Sequence, residues 1–476
     1  MELEKIISYF KKLSSIPRQS GDEKAASDFL VNFAKESGLW VKQDEHNNVL
    51  VKKPGSAGRE TEEPVIIQGH IDMVYVVAEG VQHTYEDGIE VVDDGEYLHA
   101  NGTSLGADNG IAISYAMMLM ADQELSHPPL EFIFTTEEEV GLLGALDLDT
   151  SELSGKMVMN LDSEEEGTFC SGCAGGVRSS IAIPVEREHV EGNFREVEVV
   201  LKGLKGGHSG MEIHLERGSA IQLVGRVLTA LKEYDVKVSS VEAKGKSNAI
   251  SSAAKLRLYV PEEEKEQVIS CLSTLEKTFQ NELAASDYVE ICKNDIGTAS
   301  DCDVFTKVML DKLCGILTLL PQGVMHMSMA VPGLVETSIN TGNMEEKDGK
   351  IILDSALRSS VESAKYFVRD KVQTIADVYG VSCQWSGAYP GWQFKEESKL
   401  RDKAVEKYRE IFGKEPKVEA IHAGLECGYW AAKIEEADIL SLGPSMFDVH
   451  SPREKISKQS VANVWELLKA ILSEKI

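Results

Sequence analysis

Short apolar runs in the first third of the chain end in side chains that can bind a metal ion or carry a proton. Uninterrupted apolar stretches of this length, bounded by turn-forming residues, are typical of buried strands in a parallel sheet. We predict three such strands, with these ranges and terminal polar side chains: 64–70 with His70, 130–136 with Glu138 and Glu139, and 157–162 with Asp162.

Helical patterns alternate with these strands. Apolar positions recur at helical spacing near the amino terminus, and the last of the predicted helices follows a glycine-rich turn that holds Asp108 at its N-cap position. These helices are predicted at 2–14, 22–37 and 111–120. Alternating strands and helices predict an α/β fold with a doubly wound, mostly parallel sheet, whose ligands collect at the carboxyl ends of the strands.

The character of the chain changes past Gly175-Gly176, where exposed-face strands and amphipathic helices follow one another without acids at the strand ends. Its predicted strands and hairpin are 196–203, 236–241, 254–260, 287–293, 334–358 and 381–387, and its helices are 218–234, 261–285, 301–319 and 361–379. We predict an inserted α+β lid domain here, long enough for two small βαββαβ units. The predicted domains are 1–184 (catalytic, first part), 185–389 (inserted lid or dimerisation domain) and 390–476 (catalytic, second part).

Composition narrows the classes of function. The 476 residues carry a net charge of −29, which repels nucleic acid and anionic membranes. No apolar run reaches the 18 residues of a membrane span, and the amino terminus lacks the pattern of a signal peptide. Eight scattered cysteines do not suggest a disulfide scaffold, so we expect a cytoplasmic protein. Cys170 and Cys173 have zinc-ribbon spacing, but no second such pair follows.

Imidazoles and carboxylates without paired thiolates form the ligand set of zinc, manganese or cobalt in a hydrolytic site. Two metal ions need five or six ligands, one of them shared. The candidate ligands are His70, Asp108, Glu139, Asp162 and His450. Asp72 and Glu138 remain for orienting a ligand and for proton transfer. Taken alone, Asp108 would be no more than a helix cap.

The ordered motifs resemble a known family. They are His70-x-Asp72, Gly106-Ala107-Asp108-Asn109-Gly110, Glu137-Glu138-Glu139-Val140-Gly141, Asn160-Leu161-Asp162 and the late His450. Together they resemble the di-zinc dipeptidase family of metallopeptidases. The segments around His208, His422 and His450 are most similar to its bacterial aminoacyl-histidine dipeptidase (peptidase D) branch. The resemblance covers essentially the whole chain and implies a phosphorylase/hydrolase-like catalytic domain.

The resemblance also implies a role for each ligand candidate. One metal ion would be held by His70 and Asp162, the other by Glu139 and His450, and Asp108 would bridge them. Glu138 would be the general base that takes a proton from a water shared by two Zn²⁺ per subunit, for which Co²⁺ or Mn²⁺ can substitute, and Asp72 would orient His70. A cis peptide bond is expected after Asp108. A second register, in which Glu137 and Glu138 serve, stays open.

Four further residues are candidates for contacts with the substrate. His208 resembles the lid histidine of the family, which would stabilise the oxyanion; the alternative is an ordinary turn histidine. Arg358 suits the carboxylate of a dipeptide, although a strand-end salt bridge is the alternative. Asn248 and Glu426 are weaker candidates, the latter for a free α-amino group.

The expected function is a metal-dependent dipeptidase that hydrolyses Xaa-His and other dipeptides with a free amino terminus. An N-acyl-amino-acid amidohydrolase or aminotripeptidase on the same scaffold is the alternative, and a non-catalytic peptide-binding homologue is the non-enzymatic one. The expected partner is a small peptide substrate, with no nucleic acid and no membrane. A homodimer is possible, and His208 could act in its own subunit or in a partner's.

Overall fold

The computed structural model describes residues 1–476, and the chain divides into two compact units. The first consists of Met1–Cys173, Gly391–Ile421 and Leu425–Ile476. The second consists of Ala174–Pro390 together with His422–Gly424. No helix is both long and apolar enough to cross a membrane.

Helices and strands are numbered in chain order. The α-helices are α1 (Glu2–Ser14), α2 (Lys24–Glu36), α3 (Ala107–Ala121), α4 (Leu143–Asp147), α5 (Ala220–Leu231), α6 (Lys265–Leu283), α7 (Lys307–Leu319), α8 (Glu362–Tyr379), α9 (Lys399–Phe412), α10 (Cys427–Lys433) and α11 (Lys458–Ser473). The strands are β1 (Trp40–Gln43), β2 (Val49–Lys53), β3 (Val65–His70), β4 (Val91–Asp93), β5 (Tyr97–Ala100), β6 (Leu130–Thr135), β7 (Met157–Asn160), β8 (Thr168–Cys173), β9 (Gly175–Pro184), β10 (Arg187–Lys202), β11 (Gly207–His208), β12 (Lys237–Glu242), β13 (Ala249–Ile250), β14 (Ala254–Pro261), β15 (Glu290–Phe305), β16 (Gly323–Met327), β17 (Val335–Lys347), β18 (Lys350–Ser359), β19 (Ser382–Tyr389), β20 (Lys417–Ile421), β21 (Asp438–Ser441), β22 (Met446–Phe447) and β23 (Lys455–Ser457). Three short 3₁₀ helices cover Tyr85–Asp87, Ile213–Leu215 and Glu262–Glu264.

An eight-stranded sheet forms the centre of the first unit, in the order β1-β2-β6-β3-β7-β21-β8-β20. Its central pairs, β6 with β3, β3 with β7 and β7 with β21, are parallel. The strands toward one edge, β1, β2 and β6, are antiparallel, and β21 meets β8 in the antiparallel sense. The sheet is therefore mixed, and parallel pairing is concentrated where the predicted ligand-bearing strands lie.

Apolar side chains of α1, α3 and α11 share one buried core with β3 and β6. Gly69 in β3 allows α3 to approach this strand closely. A Cβ atom at Gly69 would lie 2.4 Å from Oδ1 of Asn109 and 2.9 Å from Cβ of Ala112, both on α3. The absence of a side chain at Gly69 thus brings the start of α3, with Asp108, next to the end of β3, with His70.

The second unit contains a five-stranded sheet, β16-β17-β18-β9-β19, and a four-stranded sheet, β12-β14-β10-β15. All pairs within these two sheets are antiparallel. Helices α5, α6, α7 and α8 contribute apolar side chains to a core that they share with both sheets. This is the antiparallel α+β composition that the sequence predicts for the segment.

Several boundaries differ from the prediction. Residues 174–184 belong to the second unit, because β9 pairs along its length with β18 and also with β19, whereas the predicted domain boundary was 184. The predicted helix 301–319 begins at Lys307, because β10 pairs with β15 as far as Phe305. Strands β1 and β2, which precede the first predicted strand, form a hairpin.

We expect Gly69→Ala to destabilise the first unit. The added methyl group overlaps Asn109 and Ala112, and overpacking of this kind costs about 1–3 kcal/mol. Urea unfolding followed by circular dichroism measures the change. A midpoint equal to that of the wild type would contradict the close approach of α3 to β3.

Candidate metal centre

The Asp108 carboxylate lies between two histidines. Its Oδ1 atom is 3.0 Å from Nε2 of His70, and its Oδ2 atom is 3.2 Å from Nε2 of His450. His70 is the last residue of β3, Asp108 is in the first turn of α3, and His450 lies in the loop after β22. The peptide bond between Asp108 and Asn109 is cis, as the resemblance implied.

Each histidine has a second carboxylate close to the same nitrogen atom. Oδ1 of Asp162 is 3.4 Å from Nε2 of His70, and Oε1 of Glu139 is 2.7 Å from Nε2 of His450. The ligand atoms of His70, Asp108 and Asp162 lie within 4.8 Å of one another, and so do those of Asp108, Glu139 and His450. The structure thus brings the five predicted ligands into two groups that share Asp108.

The donor set fits two divalent cations of the zinc, cobalt or manganese type. Each group offers one imidazole nitrogen and two carboxylates, and such ligands suit these ions. The two oxygen atoms of Asp108 face different histidines, as required of a bridging ligand. Glu138 groups with His70 and Glu139, whereas Glu137 belongs to no such group, which favours the register in which Glu138 and Glu139 serve.

The ionisation of these residues reflects the crowding of acids. Burial lowers the pKa of His70, but Asp162, Asp108 and Asp72 outweigh it and raise that pKa well above its usual value. Hydrogen bonds to Asp108 and Glu139 raise the pKa of His450 to about 11. Burial and the neighbouring acids raise the pKa of Asp162 to about 6.

Glu138 is partly exposed, and its pKa is raised well above the usual value by burial and by Asp162, Glu426 and Glu139. Glu138 lies close to His70 but is not needed to complete either group around Asp108. This is the position that a proton-transfer group requires.

Asp72 contacts both the histidine and the acidic turn. Its Oδ1 is 3.3 Å from Nδ1 of His70, and the carbonyl oxygen of Asp72 lies 3.1 Å from the same nitrogen. Its carboxylate also accepts hydrogen bonds from the backbone amides of Glu138, at 3.0 Å, and Glu139, at 3.2 Å. Asp72, predicted to orient His70, therefore also fixes the turn that carries Glu138 and Glu139.

Asn109 and Glu454 are buried polar residues that the sequence did not single out. The Asn109 side chain accepts a hydrogen bond from the amide of His70 and donates one to the carbonyl of Leu161, at 3.1 and 2.8 Å. The Glu454 carboxylate accepts bonds from three successive amides, Leu105, Gly106 and Ala107, at 2.8–3.0 Å. Glu454 thus connects the loop of His450 to the start of α3. Its position four residues after His450 was the one available signal.

Glu426 is buried, although the sequence analysis made it a candidate for contact with the substrate. It has 0% exposed surface, and its Oε2 accepts hydrogen bonds from Nε2 of Gln68, at 2.5 Å, and from the hydroxyl of Thr135, at 2.9 Å. Gln68 in turn accepts a bond from the amide group of Asn160 at 2.6 Å. A fully buried carboxylate cannot contact a substrate amine in this structure, and Glu426 instead joins α10 to the ends of β3 and β6. Burial raises its pKa to about 8.

The other three predicted substrate residues lie in the second unit, and the structure brings them together. The amide of Ser209, next to His208, donates to the carbonyl of Asn248 at 2.9 Å. A Cβ atom at Gly210 would lie 3.0 Å from Cε1 of His208 and 3.3 Å from Cζ of Arg358.

His208 and Arg358 each make hydrogen bonds within the second unit. Nδ1 of His208 accepts hydrogen bonds from the amides of Gly210 and Met211, at 3.2 and 3.1 Å. Because burial and Arg358 also lower its pKa, His208 is neutral and carries its proton on Nε2. Arg358 is 9% exposed, and its Nη1 donates a hydrogen bond to the hydroxyl of Tyr389 at 3.1 Å.

The chain is similar to known proteins over most of its length. The model of the family described as Peptidase family M20/M25/M40 matches residues 66–474. The chain is 36% identical over 467 residues to the "Cytosol non-specific dipeptidase" of Escherichia coli (strain K12), covering 98% of this chain and 96% of that protein.

Two solved structures are similar to the chain to different degrees. The aminoacylhistidine dipeptidase from Vibrio alginolyticus superposes with a TM-score of 0.92 and is 34% identical, covering 98% of this chain and 96% of the other. The aminopeptidase PepT from Bacillus cereus ATCC 10987 superposes with a TM-score of 0.55 at 16% identity, covering 99% and 98%. The second similarity concerns the fold alone.

We expect His450→Ala to remove one of two bound metal equivalents, since the group of His70, Asp108 and Asp162 stays complete. Elemental analysis after loading with Zn²⁺ and desalting measures the stoichiometry. His46→Ala is the matched control, because His46 is similarly exposed (41% against 44%) and lies near Asp147. Two equivalents retained in His450→Ala would contradict the assignment.

Proposed function

This chain belongs to peptidase family M20/M25/M40, and on that premise we propose that it is a metal-dependent dipeptidase acting on dipeptides with a free amino terminus, Xaa-His among them. The observation that carries the proposal is the Asp108 carboxylate shared between His70 and His450, with Glu138 beside it. The names of the E. coli and Vibrio relatives support a dipeptide as substrate.

We assign two Zn²⁺ ions per subunit to the two groups around Asp108, with Co²⁺ or Mn²⁺ able to substitute. His70 and Asp162 would hold one ion, Glu139 and His450 the other, and Asp108 both. Bound there, the ions would lower the pKa of a water molecule toward neutrality and polarise the peptide carbonyl.

Glu138 is the proposed general base. Its carboxylate would accept a proton from the attacking water and return it to the leaving amine, so that one residue serves both halves of the reaction. The amide of Glu138 is held by Asp72, which limits the positions that its side chain can reach. A base that stays in place between the two transfers needs no rearrangement of the turn.

We propose that His208 and Arg358 bind the substrate. Nε2–H of the neutral His208 is a suitable donor to the tetrahedral oxyanion. The planar guanidinium of Arg358 can bind a carboxylate through two N–H groups, so it is suited to the substrate carboxylate, and Asn248 would lie beside them. His208 would act in its own subunit or, in a homodimer, in the partner's.

The finer features of the fold follow from the same assignment. We propose that the sheet of the first unit is a doubly wound catalytic sheet of the phosphorylase/hydrolase-like type and that the second unit is its lid. The expected location is the cytoplasm. The expected partner is a small peptide, with neither nucleic acid nor membrane, in keeping with the net charge of −29.

A dipeptide should be cleaved far better than its N-acetylated form. Acetylation removes the positive charge of the α-amino group and adds bulk at the amino terminus of the substrate. We expect kcat/KM to fall about 100-fold or more for N-acetyl-Ala-His relative to Ala-His, measured by release of histidine. A preference for the acetylated form would favour an amidohydrolase, and a preference for Ala-Ala-His an aminotripeptidase.

Glu138→Gln should lower kcat by about 10²–10⁴-fold while metal content stays at the wild-type level, because the amide cannot accept the proton. Glu137→Gln is the matched control, since Glu137 is the adjacent acid of the same turn and belongs to no metal group. Steady-state kinetics on Ala-His distinguishes the two. A larger loss in Glu137→Gln would reverse the register.

A further inference from the structure

The loop between α1 and α2 contacts three separate segments of the metal centre. This loop contains Arg18, Ser20 and Glu23, and it precedes residue 66, where the match to the family model begins. On the premise of the metal site proposed above, we propose that Arg18, Ser20 and Glu23 are positioning residues that set the spacing of the metal ligands.

Arg18 joins the segment of His70 to the segment of Asp108. Its Nη1 donates hydrogen bonds to the carbonyl oxygens of Ile71, at 2.8 Å, and Asp72, at 3.2 Å. Its Nη2 donates to the carbonyl oxygen of Gly106. Because the guanidinium is planar and rigid, the distance between the two carbonyl-bearing segments is fixed by a group of constant geometry.

The metal-binding motif of α3 makes room for this guanidinium. A Cβ atom at Gly106 would lie 2.6 Å from Nη2 of Arg18, and one at Gly110 would lie 2.7 Å from the same atom. The two glycines that flank Asp108 are thus the positions at which a side chain would displace Arg18. This gives a structural reason for the glycine spacing of the motif.

The guanidinium is a buried cation that no carboxylate neutralises by direct contact. Arg18 is 1% exposed, and burial lowers its pKa to about 10, against the effect of Glu454, Asp72 and Asp108. The group therefore stays charged at neutral pH. A charge in this position is costly unless its surroundings compensate it, and here the compensation comes from the carbonyls and acids of the metal centre.

Ser20 and Glu23 fix the turn that carries Glu138 and Glu139. The Ser20 hydroxyl donates to Oδ2 of Asp72 at 2.7 Å, on the carboxylate that holds the amides of that turn. The Glu23 carboxylate accepts the amide of Glu137 at 3.2 Å. Glu137 has φ of 50°, a left-handed conformation that non-glycine residues adopt only when neighbouring contacts hold them.

Two pairs of matched variants test the proposal. Arg18→Met removes the cation at the start of α3, and Lys53→Met removes the buried cation that donates to the carbonyls of Leu119 and Asp122 at the other end of the helix. Ser20→Ala removes the bond to Asp72, and Ser27→Ala removes a buried hydroxyl that donates to the carbonyl of Asn47. The probe is Co²⁺, added to metal-free protein and followed by its visible absorption.

Arg18→Met should weaken Co²⁺ binding by about 10–100-fold and alter the absorption spectrum. Arg18→Lys should retain part of the Co²⁺ affinity that Arg18→Met loses. The Co²⁺ affinity of Lys53→Met should stay within twofold of that of the wild type. Ser20→Ala should lower kcat on Ala-His about tenfold with KM unchanged, and Ser27→Ala should not.

If Arg18→Met does not fold, the kcat of Ser20→Ala tests the proposal. Wild-type Co²⁺ affinity and spectrum in a folded Arg18→Met, or wild-type kcat in Ser20→Ala, would overturn the positioning role while leaving the metal site in place. A wild-type protein that binds no Co²⁺ would instead overturn the metal site, and the positioning role with it.

Discussion

The first unit must hold several acids against two histidines at the carboxyl ends of its central strands. Asp108, Asp162 and Glu139 lie within a few ångströms of His70 and His450, and Asp108 is shared by both. Carboxylates at this separation repel one another unless cations lie between them. In the absence of a metal ion, protonated histidines would supply that charge, in keeping with the raised pKa of His70 and His450. Two divalent cations would replace those protons, and metal binding and deprotonation would then be a single event.

The acids cannot be held apart by their own contacts. Hydrogen bonds between buried side chains and the backbone hold their segments in place instead. Each ligand-bearing segment is fixed by a buried side chain from another part of the chain: Asp72 for the Glu138–Glu139 turn, Asn109 for the ends of β3 and β7, and Glu454 for the start of α3. Most of these bonds go to backbone amides or carbonyls, so the side chains of the ligands stay free. The cost of burying each polar group is offset because nearly every one has its partner.

The sequence was informative about everything that depends on local pattern. The ends of β3, β6 and β7 were predicted to within a residue or two, because apolar runs and the polar residues that follow them are visible in a short window. The ligands followed from those ends and from the resemblance. What could not be predicted depends on residues far apart in the chain. Arg18 bonds to a carbonyl 88 residues away, and Glu454 to an amide 348 residues away. The burial of Glu426 and the assignment of 174–184 to the second unit are decided in the same way, by packing and strand pairing.

Three glutamates show why residue type alone does not give a role. Glu138, Glu139 and Glu426 carry the same functional group in one small region, yet the structure separates them. Glu139 lies 2.7 Å from a histidine nitrogen, and Glu426 is fully buried with its Oε2 bound by Gln68 and Thr135. Glu138 is held through its backbone, whose amide donates to Asp72. No hydrogen bond holds the carboxylate of Glu138, which is in keeping with the proton transfer proposed for it. In the proposed mechanism, the backbone contacts that fix this turn would therefore distinguish the base, Glu138, from the ligand, Glu139.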